Sequence, residues 1–187
     1  RGQGSRRVLT RQACVKFGAF KEPTWRDSNR TSIAFLDAAY RGVGGDRCVF
    51  GELQFGYEAR SMKVEDMVAD FVSQGSNGHP EPRIVALIDL MIIPIQAGVS
   101  NDSPEDQIVD FCRSQCEARN IPPGNLFFDA GMRTSLVTAF CRNWSTEVNS
   151  VDCGGKPTEH QVSSEIRTPA RDYYSKFVTE LWFSVRL

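Results

Sequence analysis

The run from Ile84 to Ile95 constrains the fold most. It reads Ile-Val-Ala-Leu-Ile-Asp-Leu-Met-Ile-Ile-Pro-Ile, with Asp89 its only charge. β-Branched side chains suit a pleated surface, and a proline near the end stops the run. The run predicts a central strand rather than a helix. A chain holding such a strand must build a sheet around it, so the other segments are read as its partners or its cover. Asp89 is expected at an edge or beside a basic group.

Upstream, Ser32-Ile33-Ala34-Phe35-Leu36 is a short apolar strand ending in Asp37. A glycine-rich turn follows, Gly42-Val43-Gly44-Gly45-Asp46, and Cys48 to Phe55 resumes extended character. Strand, glycine turn and strand predict an antiparallel hairpin. Residues 58–82 are polar and read as an insertion, with a helical turn around Val64–Phe71. Downstream, Ser103-Pro104-Glu105-Asp106 combines an N-cap, a proline at the first helical position and an acid at the third. The helix it starts ends near Asn120 and Pro122. Asn125 to Asp129 is a second short strand ending in aspartate. A helix over Thr134–Trp144, a strand over Val148–Cys153 and a last helix after Thr168-Pro169 complete the order. On that last helix Phe177, Leu181, Trp182 and Val185 mark a buried stripe. Antiparallel strands that give way to strand–helix alternation predict an α/β fold, a mixed sheet flanked by helices.

With 187 residues the chain is expected to form one domain with its own core. No apolar stretch reaches the roughly 20 residues of a bilayer-crossing helix. The start, Arg1-Gly2-Gln3-Gly4, has no apolar signal core and no Met, which reads as a piece of a longer protein. Residues 1–30 carry a local charge of +6 and the remainder −7, behind an overall −1. The basic lead reads as a connector, either a solvated linker or an arm for a polyanion, with at most one short helix near Thr10–Phe20. Cys14, Cys48, Cys112, Cys116, Cys141 and Cys153 form no Cys-x-x-Cys pair, and His79 and His160 are the only histidines. That is no zinc set, so the cysteines are expected reduced and buried.

Several chemistries are absent. There is no Gly-x-x-x-x-Gly-Lys-Ser/Thr phosphate loop and no Gly-x-Ser-x-Gly. Gly42 to Gly45 leads into a strand rather than a helix N-terminus, so it makes a poor phosphate cradle. What remains is a matched pair. Asp37 and Asp129 each end a short apolar strand and precede small residues, Ala38-Ala39 and Ala130-Gly131. In a sheet with parallel strands, ligand sites gather at such ends. Each aspartate alone could simply cap a turn. Together on adjacent strands they would repel unless a cation lay between them, and hard oxygen donors favour Mg²⁺ or Mn²⁺. Asp46 could return to the same place from the glycine turn, or be a turn residue. Glu52 reads as solvent-facing, and Asp172 and Glu180 as structural.

Three blocks carry a family resemblance: Ser32 through Arg47, Leu126-Phe127-Phe128-Asp129, and Phe177-Val178-Thr179-Glu180-Leu181-Trp182-Phe183. Together they resemble the C-terminal nuclease domain of tailed-bacteriophage terminase large subunits, from about residue 30 to the end. The resemblance implies an RNase H-like mixed sheet whose first three strands are antiparallel. It divides the chain into a basic connector, 1–30, from an ATPase domain, and a nuclease domain, 31–187. It implies cleavage of concatemeric double-stranded DNA with two divalent metal ions, Mg or Mn, held by acidic residues. Asp37 would bridge the ions and Asp129 would hold one, both being catalytic. Asp46 falls near a position where some members carry an additional acid.

A third family acid follows the Glu-Leu-Trp helix and would lie past Leu187, so the nuclease domain is expected to be truncated. Asp172 and Glu180 precede that position and do not substitute for it. The implied partners are DNA, the ATPase domain, the portal and the small terminase subunit, in the cytoplasm of a bacterial host cell and at no membrane. Two other readings share the features: another RNase H-like nuclease such as a resolvase or RNase H relative, or an inactive fragment acting as a DNA- or portal-binding module.

Overall fold

The computed structural model describes residues 23–39, 47–57, 59, 83–96, 102–131, 134–162 and 167–184. Five strands form one sheet: β1 (Thr31–Asp37), β2 (Val49–Tyr57), β3 (Arg83–Ile92), β4 (Leu126–Asp129) and β5 (Asn149–Val151). Among the described residues, four α-helices accompany them: α1 (Pro104–Ala118), α2 (Thr134–Asn143), α3 (Ala170–Tyr173) and α4 (Phe177–Ser184). The strand order is β3-β2-β1-β4-β5. β1, β2 and β3 pair antiparallel, whereas β1–β4 and β4–β5 pair parallel. The chain is therefore α/β with a mixed sheet, as the element order implied. The expected helices at Thr10–Phe20 and Val64–Phe71 lie outside the described residues.

α1 makes the switch to parallel pairing possible. It carries the chain from the β3 edge back to the far side of β1. Its start follows the sequence signal: the Ser103 hydroxyl accepts the Asp106 N–H at 3.1 Å, and Pro104 occupies the first turn. Its end is at Asn120, which takes φ 55°, a left-handed conformation that short polar side chains tolerate. The Ile121 N–H then returns to the Cys116 carbonyl at 2.8 Å.

One sheet face meets α1 and α2. There Ala34, Leu36, Phe50, Leu126 and Phe128 are buried with Ile108, Val109, Cys112, Cys116, Leu136, Ala139 and Phe140. The Phe128 and Phe140 rings lie 5.0 Å apart between centroids. Each such side chain contributes roughly 1.5–3 kcal/mol on burial. The opposite face is also apolar, yet Phe55, Val85, Leu87, Leu90, Ile92 and Phe127 are exposed on it, Leu90 at 54%. This corrects the expectation for the Ile84–Ile95 run. Among the described residues it is a strand at the edge of the sheet, because apolar composition reports an affinity for burial, not a place in the sheet.

Glu52 corrects another expectation. It is 5% exposed, not solvent-facing. Strand alternation turns it to the helix side, where the Arg119 guanidinium meets its carboxylate at 3.2 Å and Asp89 at 3.0 Å. Gln54 donates to it as well, at 2.9 Å. Asp89 has thus found the basic partner expected of it. The lock joins the C-terminal end of α1 to β2 and β3.

The N-terminal segment joins the fold earlier than residue 31. The Ala59 N–H donates to the Thr24 carbonyl and the Arg26 N–H to the Tyr57 carbonyl, at 2.7 and 2.9 Å. The Trp25 ring lies over Gly56, where a Cβ would come within 2.8 Å of it. Single long helical spacing after Thr168-Pro169 also resolves differently, into α3 and α4. Tyr174 breaks the run with extended backbone at ψ 149°.

Removing one partner of a buried ion pair leaves the other charge uncompensated. Arg119→Ala is expected to cost about 3 kcal/mol in urea unfolding, the low end of such losses because part of Arg119 meets solvent. The double variant Glu52→Leu with Arg119→Met should recover part of that. A second check is acid titration. Asp106 binds the Ser103 hydroxyl, Arg142 and Asn143. Ser103 foremost holds its carboxyl below the ordinary 3.8, partial burial opposes this, and Arg142 and Asn143 reinforce it. A depressed folded value means stability present above pH 3.8 and lost as pH falls through the lower folded value. Urea midpoints at pH 7 and pH 3 should therefore differ less in Asp106→Asn than in the parent.

Candidate active site

β1, β3, β4 and β5 all run in one direction, so their C-terminal ends share one edge of the sheet. In the β1–β4 ladder Ala34 faces Leu126, Phe35 faces Phe127 and Leu36 faces Phe128. One step further along both strands, the register sets Asp37 beside Asp129. Neighbouring strands lie about 4.8 Å apart, and residues in register share a face. Leu36 and Phe128 are buried under the helices, so the two aspartates turn to the opposite face, where both are exposed. The apolar alternation that buries Leu36 and Phe128 is what puts both aspartates on the other face.

The two carboxylates are held differently. Asp37 belongs to a central strand, with β2 on one side, where Val49 is its partner, and β4 on the other. Asp129 is oriented by its own turn. Its Oδ1 accepts the Gly131 N–H at 3.0 Å, and Gly131 takes φ +46° to deliver it. The residue after Asp129 is tied to the end of β5, where the Ala130 N–H donates to the Val151 carbonyl at 2.9 Å. Burial foremost, then the charge of Asp129 and after it that of Asp152, push the Cys153 thiol up from its ordinary value.

Asp46 lies outside the described residues, so only Asp37 and Asp129 of the expected residues are seen together. One acid at this edge went unnoticed in the sequence, Asp152. Asp152 is the first residue after β5, and the signal was present: a short strand, an aspartate, then Cys153-Gly154-Gly155. Its Oδ1 accepts the Gly154 N–H at 3.0 Å, shaping the turn. Glu180 is structural, both its oxygens being taken by Thr158. Asp172 is exposed near Arg171, at 3.6 Å. Cys48, Cys112 and Cys116 are buried free thiols as expected, but Cys141 is exposed and Cys153 half-buried. Among the described residues no group of three or more His, Cys, Asp and Glu side chains is placed to hold a metal ion. No described helix is long and apolar enough to cross a membrane.

No protein-family model matches the chain, no curated protein matches its sequence, and no solved structure matches its fold. The geometry of the strand ends therefore carries the functional reading.

A Cβ at φ +46° clashes with the backbone, so Gly131→Ala should cost about 1–2 kcal/mol in thermal or urea unfolding. Gly154, which shapes the neighbouring turn without a positive φ, should tolerate alanine with a smaller loss.

Proposed function

We propose that the chain is a metal-dependent DNA endonuclease domain with an RNase H-like fold, of the kind found in terminase large subunits. The observation that carries this reading is the register of β1 and β4, which sets Asp37 beside Asp129 on one face at the C-terminal ends of parallel strands. The antiparallel pairing of the first three strands supports the same fold assignment.

The residues fit hard divalent cations. Both donors are carboxylates, both are exposed to an incoming ion, and they lie on neighbouring strand ends. Mg²⁺ keeps several waters and is often held by one or two carboxylates together with substrate phosphates. Two bound ions would activate a water and stabilise the departing oxygen of a phosphodiester. Asp37, on the central strand, would be the shared ligand. Asp129 would hold one ion, its free lone pairs aimed by the Gly131 N–H. The chain's own contribution is thus placement: two anionic groups fixed close together before any ion or DNA arrives. Double-stranded DNA is the proposed substrate. The ATPase domain, portal and small terminase subunit are the proposed partners, and the bacterial host cytoplasm the proposed setting.

Plasmid cleavage in Mn²⁺ tests the reading. Asp37→Ala and Asp129→Ala should each reduce cleavage by more than the roughly 10–100-fold typical of residues behind the ligands. Full cleavage by both variants would overturn it. Tight, steeply salt-dependent duplex binding without cleavage or metal binding by the parent chain would instead mark a non-catalytic DNA-binding module.

A further inference from the structure

The sheet face turned away from α1 and α2 carries exposed apolar side chains on two adjacent strands. In the β2–β3 ladder Phe55 lies beside Val85, Leu53 beside Leu87, Gly51 beside Leu90 and Val49 beside Ile92. Phe55 and Leu87 are more than a third exposed, and Val85, Leu90 and Ile92 more than half. Gly51 makes the patch continuous. A Cβ there would collide with the Phe35 ring and come within 2.9 Å of Leu90, so those two side chains meet over β2 in space that only glycine leaves. None of these residues is charged. Five large apolar side chains exposed to this degree present on the order of 400 Å², as much as the largest patch on a typical monomer, and such patches are often functional.

The pattern along β3 is symmetric. The register with β2 skips Ile88, so Val85 and Leu87 precede the bulge and Leu90 and Ile92 follow it at the same spacing, all on the exposed face. Read in either direction the face is the same, which is what a two-fold contact requires: residue i meets j and j meets i. Pairing through the β3 edge is opposed by the bulge and by Asp89, whose Oδ1 accepts the Leu90 N–H at 2.8 Å. We propose that this face binds a second copy of the chain, the two sheets stacked antiparallel with β3 over β3 and β2 over β2. Val85 and Leu87 of each copy then meet Leu90 and Ile92 of the other. Charge favours this direction. The Asp37–Asp129 ends stand at opposite ends of the contact, each toward the edge where Arg30 and Arg83 lead into β1 and β3 of the other copy. The two patches with their half-buried neighbours Phe35, Val49 and Leu53 approach the roughly 1,000 Å² that a specific interface clears. The contact does not depend on what the aspartates bind.

Sedimentation equilibrium of the 187-residue chain tests this, under reductant so that the exposed Cys141 cannot link copies. The parent should reach the mass of a dimer by about 100 μM, a hundredfold above a Kd of about 1 μM. Leu90→Lys and Phe55→Lys should each weaken association at least about 10-fold, and being exposed in the single chain both should stay folded by urea unfolding. A parent that keeps the mass of one chain throughout overturns the proposal, and marked destabilisation by the lysines would then show the face covered within the chain. A dimer weakened by Leu90→Lys but not by Phe55→Lys, which stands one strand in from the edge, would mean edge pairing and overturn it too. So would a dimer that neither lysine affects.

Discussion

The parallel ladder between β1 and β4 is the constraint on which the site depends. Only two short segments meet there, and β4 has just four residues. What fixes their register is the burial on one face: Ala34 and Leu36 from β1, Leu126 and Phe128 from β4. A slip of one residue would turn Phe127 and Asp129 inward and bring Phe128 out to the surface. Burying an unpaired carboxylate under α1 and α2 would cost several kcal/mol, so the slipped register is excluded by the same side chains that stabilise the native one. Packing energy on the helix face thus becomes positional accuracy on the other.

That coupling explains what could be read in the sequence. Asp37 and Asp129 were legible because each closes an apolar strand, and local pattern suffices to place a residue at a strand end. The cap at Ser103 and the stop at Asn120 were legible for the same local reason. Glu52 and the position of β3 were not. Whether Glu52 faces solvent depends on Arg119, 67 positions downstream, and on which face α1 covers. Whether a strand is central depends on strand order, which the long α1 connection decides. Cys153 was read as one more buried hydrophobe yet is half-buried, because it lies in the loop after β5 and not in the core.

The Glu52–Arg119–Asp89 lock and the Asp37–Asp129 pair show two uses of acidic residues in one sheet. Glu52 and Asp89 sit on the helix-covered face with a guanidinium between them, so their negative charges are partly offset and the lock serves architecture. Asp37 and Asp129 sit on the other face at the strand ends. Their negative charges are set side by side by backbone pairing that neither side chain controls.

Even at a separation of about 4 Å, two like charges repel by only about 1 kcal/mol in water and by about 4 kcal/mol at the effective dielectric near a protein surface. Both aspartates are exposed, so the smaller figure is the nearer one, and the packed core can bear it. The repulsion is therefore no obstacle to folding, yet a divalent cation between the carboxylates would turn it into attraction. A site that is tolerable when empty and favourable when filled need not be held rigid by the cation. Its geometry can come from the protein alone: register for Asp37, and the Gly131 turn for Asp129. The two carboxylates are then unequal. Asp37 is fixed by the whole sheet, whereas Asp129 is fixed by a turn whose shape rests on Gly131, which makes its side of the site the one that a single substitution can change.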